Sequence, residues 1–126
     1  MSTDFRLTPH ADHVHVQLSP GYEIRPDGVT ELMMSVSDVC ARQGHRRVLV
    51  EGAIAARRMG TMDSFGAGAL AGSMFTGVWI ACCFYGYRPD DQSQFFKDVA
   101  QNRGVRIEFF ADRDAALRWL GVSSQP

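Results

Sequence analysis

A chain of 126 residues, 45% hydrophobic and 21% charged, is long enough for one core and too short for two domains, and its make-up is that of a globular protein, not a disordered or fibrous one. The formal charge of -1, with Arg46-Arg47 and Arg57-Arg58 only local basic pairs, excludes the concentrated cationic face that nucleic acid requires. Cys40, Cys82 and Cys83 lack a Cys-x-x-Cys spacing and are odd in number, so reduced thiols and a cytoplasmic setting are expected; Met1 to Leu7 shows no apolar run behind a basic flank, and no secretory signal is expected.

Along the chain, His13 to Leu18 alternate, with Val14, Val16 and Leu18 on one face, which predicts a half-buried strand with Phe5-Arg6-Leu7 as its hairpin partner. Tyr22-Glu23-Ile24 then leads through the turn-rich Arg25-Pro26-Asp27-Gly28 into a helix, because Val29, Leu32, Met33, Val36, Val39 and Cys40 repeat at helical spacing and Gly44 supplies a stop. Arg47 to Glu51 is a nearly continuous apolar run, as in a strand covered on both faces. Between Gly52 and Thr61, Ala55-Ala56-Arg57-Arg58 suit a helical turn or an exposed loop equally. A helix from about Asp63 to Thr76, a strand from Val78 to Tyr85, a helix opening at Asp90-Asp91 and ending at Gly104, a strand from Val105 to Phe110 and a last helix from Arg113 to Leu120 capped by Asp112 complete the order. One domain over residues 1–122 is expected, with 123–126 as a frayed polar tail.

No charged residue occurs from Ser64 to Tyr87, and about 20 apolar residues can span a bilayer. The stretch nevertheless changes midway from Ala/Gly-rich to β-prone at Val78, so a helix followed by a buried strand is expected and stable membrane insertion is not. Strands alternating with helices build a largely parallel sheet; the initial hairpin adds one antiparallel edge.

Asp63-Ser64-Phe65-Gly66-Ala67-Gly68-Ala69-Leu70 opens the second long helix, where a serine hydroxyl can lie beside unpaired N–H groups and the positive end of the helix dipole. A helix cap at Ser64, shared with Asp63 or Thr61, and a phosphate-accepting site are both compatible with that position. Taken with the order of elements, this stretch resembles the STAS superfamily, founded on bacterial anti-sigma-factor antagonists with an Asp-Ser, small, Gly, aliphatic, Gly, x, Leu motif. The resemblance implies phosphorylation at Ser64, with Asp63, Gly66 and Gly68 on the surface that meets a partner. Asn102 to Phe110 followed by Asp112 to Gly121 resembles the C-terminal half of the SpoIIAA-like branch, of STAS or SEC14-like fold. The fold so implied is α/β: a mixed, mostly parallel sheet of about five strands with helices mainly on one face.

His13 and His15 lie at i and i+2 with His10 nearby, but no carboxylate or cysteine completes a metal set. Cys82 and Cys83 should point to opposite faces of their strand as inert thiols. No P-loop, nucleophile elbow or other catalytic motif occurs, so no enzymatic activity, metal or cofactor is expected. Met74, Trp79, Phe84, Phe95 and Phe109 are candidate walls of an apolar pocket, for which the SEC14-like fold implies a lipid-like ligand. The expected function is a non-enzymatic regulatory or protein-interaction domain switched at Ser64; the alternative is a carrier or sensor of a small hydrophobic ligand. Self-association into a homo-oligomer stays open.

Overall fold

The computed structural model describes residues 4–54 and 56–122; the expectations for Met1–Thr3, for Ala55 and for the 123–126 tail lie outside the described residues. Strand β1 (Phe5–Pro9) and strand β2 (Val14–Leu18) form the antiparallel hairpin, paired from Phe5 with Leu18 to Pro9 with Val14. After the two-residue strand β3 (Glu23–Ile24) comes helix α1 (Pro26–Gln43), which Pro26 opens and Gly44 closes at φ 71°, its N–H donating to the Cys40 carbonyl. Strand β4 (Arg47–Ala53), the short strand β5 (Ala56–Arg57), helix α2 (Thr61–Phe75), strand β6 (Trp79–Tyr85), helix α3 (Asp91–Asn102), strand β7 (Arg106–Phe110) and helix α4 (Arg113–Leu120) follow.

The main sheet has the order β1-β2-β4-β6-β7, antiparallel at the hairpin and parallel elsewhere. Each crossover from β2 onward steps the sheet in the same direction, and crossovers of one hand then put their helices on one face. Accordingly α1, α2 and α3 cover the face carrying Val14, Val16, Val48, Val50, Ile80, Cys82 and Ile107. Helix α4 has no further strand to return to and folds over the other face, where Ala116, Leu117 and Leu120 meet Leu49, Ala81 and Cys83. The mixed sheet and the bias of helices to one side thus follow from the chain order.

The uncharged stretch resolves into two packed elements. Helix α2 ends at Phe75, Gly77 turns the chain at φ 81° with its N–H on the Gly104 carbonyl (2.9 Å), and β6 enters the sheet between β4 and β7. Among the described residues no helix is long and apolar enough to cross a membrane. Two elements differ from the sequence reading: α2 starts at Thr61 instead of about Asp63, and the stretch before it is a strand. Ala56–Arg57 form neither a helical turn nor a free loop but pair in parallel with Glu23–Ile24 as a separate two-stranded sheet, tied by the Arg58 N–H on the Ile24 carbonyl at 2.7 Å. The Glu23 carboxylate meets Arg25 on its own segment and Arg58 across the ribbon, and these contacts hold its carboxyl below the usual range.

Candidate functional site

Where α1, α2 and α3 lean over the sheet they do not close completely, and a cavity of 330 Å³ remains between them. Its floor comes from alternate residues of three parallel strands, including Val50, Cys82, Phe84, Ile107 and Phe109. Leu32, Met33 and Val36 of α1, Ala67, Ala71 and Phe75 of α2, and Phe96 of α3 form the walls. The mouth lies at the C-terminal ends of β4 and β6, because Ile54 and the Gly86–Arg88 turn line it; open α/β sheets commonly bind ligands at that end. Within the aromatic floor, Phe84 and Phe109 lie 5.9 Å apart, and Tyr87 stacks on Phe109 at 5.3 Å.

The rim is polar and tightly bonded. The Ser64 hydroxyl donates to Gln92 Oε1 at 2.9 Å, and Gln92 Nε2 donates to Thr61 Oγ1 at 3.3 Å. Asp90 caps α3 by accepting from the Ser93 N–H (2.8 Å), and its other oxygen meets Arg57 Nη2 at 2.9 Å. Burial alone would raise the Asp90 carboxyl, but the Arg57 guanidinium and the Ser93 N–H outweigh it and hold it below the ordinary range.

The sequence candidates are distributed as follows. Phe84 and Phe109 line the cavity. Trp79 does not: with Ala81 and Cys83 it belongs to the layer under α4, and its ring lies 5.1 Å from Trp119, with the Arg106 guanidinium over it. Phe95 stacks on Phe65 on the outer side of the α2–α3 pair, and Met74 packs against the main core. Ser64 is not the helix cap. The helix starts at Thr61 after Gly60, whose N–H is taken by Asp63 Oδ2 (3.1 Å), so Ser64 sits inside the first turn with its own N–H on the Gly60 carbonyl. The residue is 3% exposed. Gly66 faces open space, whereas Gly68 faces α3, where an added Cβ would lie 2.8 Å from Val99 Cβ.

On the opposite face sits a cluster that sequence reasoning missed. The buried Glu51 carboxylate receives the Tyr85 hydroxyl, His15 Nε2 (2.8 Å) and Arg113 Nε (3.4 Å). The only signal was a carboxylate inside an otherwise apolar strand; its partners come from β2, β6 and α4, far apart in sequence. His13 bonds Asp12 at 2.7 Å and stacks on His10 at 4.9 Å. Burial, and then the neighbouring His13 and His15, lower the His10 pKa. Among the described residues no group of three or more candidate ligands is placed to hold a metal.

Burial pushes the Cys82 thiol up to about 12, with Cys83 at about 11 and Cys40 also raised. Cys82 faces the cavity side and Cys83 the α4 side. All three thiols should therefore stay unlabelled by Ellman's reagent at mildly alkaline pH and react only on denaturation. A thiol that reacts in the native protein at its denatured rate contradicts this burial.

Comparison with models of known protein families gives no match, and no curated protein matches the chain.

Proposed function

We propose that this protein is a non-catalytic, cytoplasmic binding module of STAS and SEC14-like type that holds one small hydrophobic ligand between α1–α3 and the sheet. The observation that carries the reading is the cavity itself: 330 Å³, apolar on its floor and walls, polar only at its mouth. Ligand sites in small domains have this make-up, a largely preformed apolar cleft with a few placed polar groups. The sheet order and the bias of helices to one face support the family resemblance, and the SEC14-like variant is the one that implies a lipid-like occupant.

A protein partner is the second reading, favoured by Met62 and Phe65, which stand 77% and 40% exposed on the first turns of α2. A switch at Ser64 is the weaker part of it. A phosphate would bring about -1.5 to -2 units of charge into a position now enclosed and bonded to Gln92.

N-phenyl-1-naphthylamine, a neutral fluorescent probe, tests the main reading. One equivalent should bind with enhanced fluorescence, and Ala67→Phe, which fills the cavity from α2, should weaken binding by at least about tenfold without loss of helical circular dichroism. Equal binding by the filled variant would place the probe elsewhere and overturn the reading.

A further inference from the structure

We infer that the ligand of this cavity is a single-chain amphiphile ending in a carboxylate, held at the mouth by Arg88 beside the Arg57–Asp90 pair; the inference rests on the binding function proposed above. Three observations carry it. A volume of 330 Å³ is at the low end of the about 300–1,000 Å³ of small-molecule sites, so one chain or one ring system fits and two acyl chains do not. The floor and walls are lined by aliphatic, aromatic and thiol side chains, which leaves a ligand's polar end no place inside and forces it to the mouth.

The third observation is charge. The charged residues lining the cavity are Arg57, Arg88 and Asp90, two cations against one carboxylate. Arg57 is already matched by Asp90 at 2.9 Å, while Arg88 makes no ion pair among the described residues. One positive charge is thus in excess at the rim of an apolar cleft, and an anionic head balances it. A carboxylate suits the site because the planar guanidinium offers paired N–H donors matched to its two oxygens. The Asp90 carboxylate on Arg57 is a guanidinium–carboxylate pair already formed at this rim. Asp90 also competes for the same cations, so the ligand head settles on Arg88 with Arg57 shared.

Displacement of N-phenyl-1-naphthylamine by decanoate, decanol and decyltrimethylammonium tests this. Decanoate should displace the probe more readily than the ammonium analogue. Arg88→Ala should weaken decanoate by about tenfold and leave decanol unchanged. Asp90→Asn, which keeps an N-cap residue for α3 while removing the competing charge, should tighten decanoate several-fold and again spare decanol. Tighter binding of the cationic analogue, or an Arg88→Ala effect equal on decanoate and decanol, would overturn the carboxylate assignment while leaving the cavity function intact. Failure of all three alkyl compounds and of the probe would overturn both.

Discussion

Gly68→Val is expected to lower the stability of the fold by about 3 kcal/mol, while Gly66→Val, two residues away on the same helix, changes it by no more than about 1 kcal/mol. A Cβ at Gly68 would stand 2.8 Å from both Val99 Cβ and Val99 Cγ1 and 3.0 Å from the Phe96 carbonyl oxygen. A rotamer change at Val99 could clear its Cγ1, but its Cβ and a backbone carbonyl move only if α3 moves as a body. Interiors packed to crystal-like density do not absorb that shift locally. Gly72 repeats the arrangement one turn on, where the added Cβ would lie 2.5 Å from Arg103 Cβ. Gly66 has nothing within 4 Å, and a side chain there meets only solvent. Urea denaturation of the two variants separates the cases. Equal losses would mean that α2 and α3 do not approach this closely, and the cavity they enclose would lose its walls.

That contrast also shows where the sequence stops being readable. Gly68 and Gly72 are at a spacing that suits either a membrane helix pair or a soluble helix lying close to a sheet, and the sequence favours the second without naming a neighbouring helix. The structure answers with α3, because the crossover rule puts consecutive helices side by side on one face. Elements with a strong period were legible: the alternation of β2, the apolar run of β4, the amphipathic stripe of α1 and its closing Gly44. Strands β3 and β5, at two residues each, contain no period and pair only because the chain before α1 and the chain after β4 meet. The aromatic candidates show a different limit. Residue type marks Phe84 and Trp79 equally, but strand parity, the same argument that separates Cys82 from Cys83, sends them to opposite faces. The Glu51 cluster was illegible because it is assembled from four elements, and the start of α2 was misplaced because a glycine, not a serine, precedes its first turn.

On the face away from the cavity, Leu49→Ala is expected to cost about 2–5 kcal/mol, a large share of the roughly 5–15 kcal/mol that holds a domain of this size. Leu49 is fully buried in the middle of β4. In the sheet it lies between His15 of β2 and Ala81 of β6, and it packs with Cys83, Ala116, Leu117 and Leu120. The small neighbours Ala81, Cys83 and Ala116 let α4 sit close, so Leu49 is the large sheet side chain at the centre of this layer, with Trp79 and Phe110 only at its partly buried margin. Truncating it leaves a void beneath a helix of only eight residues, which has little stability apart from this contact. The near-ultraviolet circular dichroism of Trp79 and Trp119 reports the separation directly, since both rings belong to this layer. The cavity is built from the other parity of the same strands, and at permissive temperature the variant should still bind N-phenyl-1-naphthylamine with unchanged affinity. A loss below about 1 kcal/mol would mean that α4 is not anchored through Leu49. Weakened probe binding in a fully folded variant would mean that the two faces of the sheet are coupled through the strands themselves.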